Sequence, residues 1–410
     1  MPTVALLGTL DTKADEYAFV AEALAELEVT PYLIDVGVRG SSPTVAAVSN
    51  GAVAGAIGMT IEDVRAEPDR GTAISRMAQG ATAVVTRLVE AGEIDGILAL
   101  GGTGGTTLAS QVMRALPVGF PKLIVSTVAS GDTRQYVGST DITMMYSIVD
   151  IAGINAISAR ILTNAAGAIA GMAHATVPAI RTRPVIAATM FGLTTPAVTA
   201  ARQVLEEHGY EVLVFHATGA GGDSMEAIID AGLTVGVLDI TTTELADELV
   251  GGVFAAGPRR LTAPARAGVP HLVSAGALDM VNFGAPDTVP EEYRTRTLYH
   301  HNDSVTLMRT SPEESTEIAR RMAARLNARE DRSTTMVFLP EAGFSGIDVE
   351  SGPFFDPVAD RAFIDTLVDE LHDDIAVVRR DVPVNDEDFA RAMANALHEA
   401  IASQEKGGTR

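Results

Sequence analysis

The sequence predicts an α/β protein built from two Rossmann-like lobes, each a mostly parallel, doubly wound sheet, with a cleft between them. Three observations predict it. Short apolar runs alternate with segments of helical period, the pattern that parallel sheets with crossover helices require. Several of those runs end in glycine and small hydroxyl residues. The order strand, Gly/Thr loop, helix, strand, loop also occurs twice, from residue 3 and from residue 185. The expected organisation is a lobe over residues 1–180, a second over 184–403, and a disordered polar tail over 404–410.

The first lobe opens with a strand over Thr3–Gly8, a helix over Thr12–Glu28 and a strand over Pro31–Val36. Ser42–Asn50 reads as helical, Asp69–Ala91 as a long helix, Asp95–Leu100 as a strand, Gly105–Ala115 as a helix and Lys122–Thr127 as a strand. Ile148–Asn155 and Ala156–His174 read as two closing helices. Arg181-Thr182-Arg183-Pro184 has the character of a linker. The second lobe begins with a strand over Val185–Met190, a loop over Phe191–Pro196, a helix over Ala197–His208 and a strand over Tyr210–Phe215. Further strands are expected over Leu233–Asp239, His271–Ser274, Val305–Met308, Thr334–Phe338 and Ile375–Val378.

Composition narrows the function classes. The chain has 410 residues, 47% hydrophobic and 20% charged, which describes an ordinary folded protein. No apolar stretch approaches the ~20 residues a bilayer-spanning helix needs, and the N-terminus lacks a signal-peptide pattern. A cytoplasmic location is expected. Without cysteine there is no disulfide, thiolate zinc site or cysteine nucleophile. The formal charge of −23 argues against nonspecific nucleic-acid binding, which rests on basic residues neutralising phosphates. An acidic chain that binds an anion must use local N–H groups and a few cations. Only Lys13, Lys122 and Lys406 are lysines, so a lysine inside a Gly/Thr loop stands out as a point charge for phosphate. A solvated lysine at a helix start is the alternative.

Two loops carry the strongest signal. Gly8-Thr9-Leu10-Asp11-Thr12-Lys13 and Gly101-Gly102-Thr103-Gly104-Gly105-Thr106-Thr107 each follow an apolar run and precede a helix. Such turns aim backbone N–H groups at a phosphate, and in open sheets they lie where ligands bind. Neither is a Walker A loop or a G-x-G-x-x-G fingerprint. Four glycines within 101–105 leave the backbone bare for close approach of a ligand. Asp11 reads either as a helix cap or as a ligand for phosphate-bound Mg²⁺. Asp35, at a strand end before Gly37, can hold ribose hydroxyls, and Arg39 can meet a phosphate. Thr127, Ser130, Gly131, Asp132 and Asp141 follow the next strand and are expected to join the same crevice, or to form local turns.

In the second lobe, His216 precedes the Gly219–Gly222 loop, and Arg294 and Arg296 precede His300 and His301. A histidine at a strand end can serve as a general base or metal ligand. No zinc-type spacing or serine elbow is present.

Taken together, the Val4–Lys13, Asp35–Gly37, Leu100–Thr106, Ser130–Asp132 and His216–Gly219 segments resemble a bacterial and fungal family of unassigned activity. The same domain forms the N-terminal ATP-binding part of a plant tobamovirus-resistance protein. The resemblance covers essentially the whole chain. It implies two Rossmann-like lobes, ATP with magnesium at the first, and a homodimer; the plant protein's antiviral activity is not carried over. The resulting expectation is an ATP-binding protein, with Asp11 or Asp132 helping to hold Mg²⁺. A small anionic substrate would meet His216, Arg294 and His300 in an ATP-dependent reaction. The alternative is a non-catalytic ATP-binding regulator acting through a partner.

Overall fold

Near-continuous apolar runs become the buried strands of a parallel sheet, because a sheet covered on both faces leaves no polar side. In the computed structural model, which describes residues 1–40, 45–178 and 182–407, the chain divides into two units, Met1–Ala179 and Ile180–Arg410. The first unit contains β1 (Thr3–Gly8), α1 (Ala14–Glu26), β2 (Thr30–Asp35), α2 (Asn50–Gly55), α3 (Ile61–Arg65) and α4 (Arg70–Glu90). It continues with β3 (Gly96–Gly101), α5 (Thr103–Arg114), β4 (Lys122–Ser126), α6 (Arg134–Val137), β5 (Thr143–Tyr146) and α7 (Ala156–His174). Its five strands are ordered β2-β1-β3-β4-β5 and all pair in parallel. On one face, Tyr17, Val20 and Leu24 of α1 and Leu162, Ala165 and Ile169 of α7 pack on Val4, Leu6 and Leu98. On the other, Met77, Val84 and Val85 of α4 and Leu108 and Val112 of α5 pack on Ala5, Leu7 and Ala99.

Two expectations for this unit are corrected. The helix expected over Ser42–Asn50 does not form over its described part: Val48 bridges in parallel to Ile34, and α2 begins at Asn50, capped by Ser49. Residues 42–44 lie outside the described part. Ile148–Asn155 is not helical either. The preceding residues form β5, a short edge strand with two exposed ends that gave no apolar run to read, and the chain then bends to the capping box at Asn155 that starts α7.

The second unit contains β6 (Val185–Met190), α8 (Thr195–Glu207), β7 (Glu211–His216), α9 (Ala220–Asp230), β8 (Gly236–Thr241), α10 (Glu244–Val250) and α11 (Ala263–Ala267). Next come β9 (His271–Gly276), β10 (Met280–Phe283), β11 (Leu298–Asn302), β12 (Val305–Arg309) and α12 (Pro312–Asn327). It ends with β13 (Thr335–Pro340), α13 (Pro357–Glu370), β14 (Ala376–Arg380) and α14 (Glu387–Gly407). Six strands form a parallel sheet in the order β14-β13-β9-β8-β6-β7, while β10, β12 and β11 form a separate antiparallel sheet. The strand expected at Val305–Met308 thus belongs outside the main sheet. Helix α14 runs through Gly407, so residues 404–407 continue that helix rather than forming a disordered tail; residues 408–410 lie outside the described part. Arg181 also lies outside it, and Thr182–Pro184 has no regular secondary structure. Among the described residues no helix is long and apolar enough to cross a membrane.

Both parallel sheets share one winding. The chain places its second strand on one side of the first and its third on the other, β2-β1-β3 in one unit and β7-β6-β8 in the next. Such a reversal opens a crevice at the carboxyl ends of the first and third strands.

Candidate functional site

At the β1/β3 reversal of the first unit lies a cavity of about 910 Å³. Its wall includes Gly8, Thr9, Asp11, Thr12 and Lys13 from the loop after β1, and Gly102, Thr103, Gly104 and Gly105 from the loop after β3. Leu7, Val36, Val38, Ile74, Leu100 and Leu108 supply an apolar part of the lining, and Arg39, Arg65, Arg70, Asp69 and Asp150 a charged part. The two glycine loops therefore converge, which is the central site expectation.

Tyr17 makes room for them. Parallel pairing of β1 with β3 ends at Leu7 and Ala99. There the Tyr17 hydroxyl donates to the Leu7 carbonyl at 2.5 Å and accepts from the Leu100 amide at 2.8 Å. A phenol thus stands where the next interstrand bond would form, and each backbone group still has a partner. Burial pushes the Tyr17 phenol well above its ordinary pKa, so it stays neutral. Gly101 is bare because a Cβ there would lie 2.9 Å from the Gly105 Cα.

The helix ends differ in charge. Helix α5 starts at Gly102 with no side-chain cap and no acidic residue in its first turn. Helix α1 has no side-chain cap either, but carries Asp15 and Glu16 in its first turn. Negative charge there competes with a bound anion for the positive end of the helix. Asp11 accepts the Arg39 amide at 2.7 Å through Oδ2, while Oδ1 is buried without a partner against Gly37. Among the described residues no group of three His, Cys, Asp or Glu could hold a metal ion. Asp132 is exposed and engaged by Arg134 at 2.6 Å, away from the cavity wall.

Lys13 lines the cavity, but its Nζ donates to the Ile151 carbonyl. This ties down the segment after β5, which supplies Asp150 to the wall. Ile148 in that segment has φ 62°, and the Val149 amide donates back to the Ser147 carbonyl at 2.6 Å. A three-residue turn centred on a β-branched residue at positive φ is strained. The Gly153 amide is held by Glu16 Oε1 at 2.6 Å.

Other expected residues support the loops from outside the cavity. Asp35 is buried; its Oδ1 accepts the Leu10 amide at 3.1 Å and the Gly37 amide at 2.8 Å, pinning the first loop to β2. Burial raises its pKa. Gly37 is bare because a Cβ would lie 2.6 Å from the Asp11 carboxyl carbon. Thr106 is buried, with its hydroxyl 2.7 Å from that of Ser126. The Thr127 amide donates to the Gly101 carbonyl at 3.2 Å, while Ser130 and Gly131 lie exposed outside the wall. Asp141 pairs with buried Lys122 at 2.6 Å instead of joining the crevice. Arg65, Asp69, Arg70 and Asp150 were not singled out in the sequence, since they come from connecting segments with no glycine or strand-end signal.

In the second unit the corresponding reversal is filled. The Thr189 hydroxyl donates to Asp239 Oδ1 at 2.7 Å, and the Thr194 and Thr241 hydroxyls lie 2.7 Å apart. Fully buried Arg260 reaches Asp239 at 2.5 Å and Glu244 at 2.6 Å. Glu244 Oε1 in turn accepts the amides of Gly219 and Gly222 at 2.8 and 3.1 Å. The Gly219–Gly222 loop does receive an anion, and that anion is Glu244. His216 is exposed at the end of β7 and His300 is exposed in the middle of β11, and the Arg294 guanidinium donates to the Val289 and Asp287 carbonyls. Among the described residues no hydrogen bond or ion pair joins these three.

Two Rossmann-like units, one with an open crevice and one with a filled one, define the class. The chain belongs to the uncharacterised protein family UPF0261, whose N-terminal domain matches residues 2–178 and whose C-terminal domain matches residues 183–401. It is 49% identical over 397 residues to a UPF0261 protein of Clostridium tetani, covering 96% of this chain and 98% of that one. A UPF0261 protein of Rhizobium meliloti is 44% identical, at 97% and 99% coverage. The tomato ToMV resistance protein Tm-1 is 37% identical over 97% of this chain, which spans 56% of the tomato protein. The tomato ToMV susceptible protein tm-1 is 37% identical over the same span.

Proposed function

We propose that this protein binds ATP in the first unit's cavity, with the triphosphate against bare amides of the glycine loops and the base against the apolar wall. One observation carries the reading: both glycine loops border a single cavity of about 910 Å³ at the strand reversal. That volume falls in the upper part of the range for small-molecule and cofactor sites. Binding there is achieved without a strongly basic surface, which suits a chain of net charge −23. Magnesium would arrive with the nucleotide, held mainly by phosphate oxygens and water.

Regulatory or partner binding without turnover is the second reading. It is favoured by the second unit, where Arg260 and Glu244 occupy the strand reversal and the amides of Gly219 and Gly222. The tomato relatives do not decide between the two, because one is named for resistance and the other for susceptibility at the same identity.

Thermal shift and calorimetry with ATP, NAD and sugar phosphates test the reading. ATP is expected to stabilise the full chain in a concentration-dependent way. Stabilisation by NAD alone would overturn it. An ATP-turnover assay with small anionic metabolites then separates an ATP-dependent enzyme, which releases product, from a binding protein, which does not.

A further inference from the structure

We infer that Arg70 is the specificity-determining cation of this cavity, and that it selects the ligand by a terminal phosphate seated beside the first turn of α5. The inference rests on the nucleotide reading above and gives that ligand a direction.

The cations of the wall are not equivalent. Lys13 already donates to the Ile151 carbonyl. Arg65 donates through Nε to the Val38 carbonyl at 2.7 Å and through Nη2 to the Gly40 carbonyl at 3.3 Å, and it lies 3.6 Å from Glu62. Among the described residues no side-chain hydrogen bond or ion pair holds Arg39 or Arg70; of the two, Arg70 is the one beside α5, its Nη2 3.9 Å from where a Cβ on Gly104 would be. Gly104 belongs to the first turn of α5, the helix end free of both side-chain cap and acidic residue. An anion held there meets amides on one side and a guanidinium on the other. Arginine suits that task because its planar fork matches two phosphate oxygens at once.

The position of Arg70 is itself informative. It is the first residue of α4, directly after the Asp69 cap. A cation at the positive end of a helix is electrostatically disfavoured. An arginine held there with no partner among the described residues, facing a cavity, weakens the empty protein slightly and strengthens an anion-bound one. The Gly8–Lys13 side is the poorer phosphate seat, because Asp11, Asp15 and Glu16 surround the start of α1.

The test compares ATP, AMP and inorganic tripolyphosphate on the full chain by calorimetry, using wild type, Arg70→Ala, Arg70→Lys and Lys13→Ala. Arg70→Ala is expected to lower ATP and tripolyphosphate affinity about tenfold or more while leaving AMP within about twofold, from the strength of hydrogen bonds to charged groups. Arg70→Lys recovers part of the loss. The melting temperature of ligand-free Arg70→Ala is expected to stay level or rise, whereas a structural arginine would lower it. Unchanged ATP affinity in Arg70→Ala overturns the inference and leaves the ATP reading standing, as does a larger loss in Lys13→Ala. If the wild type responds to none of the three probes, both fall together.

Discussion

A Cβ placed on Gly8 would lie 2.0 Å from the Tyr17 ring. The glycine that ends β1 is therefore required less for turn geometry than for the aromatic ring crossing beneath it. Gly8→Ala is expected to displace Tyr17, to cost about 1–3 kcal/mol as other overpacked cores do, and to weaken nucleotide binding. Urea unfolding and calorimetry on one preparation check both effects. A variant of wild-type stability and affinity would show that the ring does not shape the crevice.

Lys13→Ala removes the anchor of the strained segment around Ile148. A hydrogen bond to a charged donor contributes ~1.5–3 kcal/mol, and the half-buried position of Lys13 puts this one at the low end. Hydrogen exchange is expected to speed up selectively over residues 147–153, with α7 unchanged. Uniform exchange throughout the unit would instead mean that the Ile151 carbonyl has no need of its partner.

Glu244→Ala strips the carboxylate from Arg260 and from the amides of Gly219 and Gly222. Breaking a buried ion pair on one side typically costs about 3–5 kcal/mol. If the variant folds, the amides at the start of α9 lose their internal acceptor. Added sulfate or phosphate should then restore part of its melting temperature. Glu244→Gln, which can still accept those amides, is expected to fall between the two. Equal stability of all three proteins would remove Glu244 from the account of this loop.

Stability is expected to fall between about pH 5 and 8. Burial lifts Asp247 to about 7. Burial also raises Asp279 and Asp360, with the neighbouring Asp348 charge pushing the same way. For a carboxyl raised in the folded state, the stabilising contribution is complete below the unfolded value near 4. It is lost as pH rises through the folded value. Urea midpoints across this range should decline, and Asp279→Asn should flatten the decline. A profile that climbs towards pH 8 would contradict the sign.

The strands that carry the crevice were legible because they are apolar on both faces, and the glycine loops because close approach leaves a compositional mark. Other parts of the site were not. Tyr17 reads as one more apolar position on α1, and nothing in its neighbours signals that its hydroxyl replaces a strand bond. Arg65 and Arg70 reach the cavity only because the α3–α4 connection folds over it, a tertiary outcome with no local pattern. Asp35 was legible as a strand-end carboxylate, yet a pair of backbone amides claims it. Glu244 was missed for the converse reason: an ordinary helix-start acid fills the very loop that looked prepared for a substrate.

The sealed reversal in the second unit bears on stoichiometry. Two halves with the same winding would invite two equivalents of nucleotide per chain, but the internal salt bridge of Arg260 has already taken one vacancy. Titration is expected to saturate at a single equivalent, with the carboxyl-terminal half a silent copy of the half that binds.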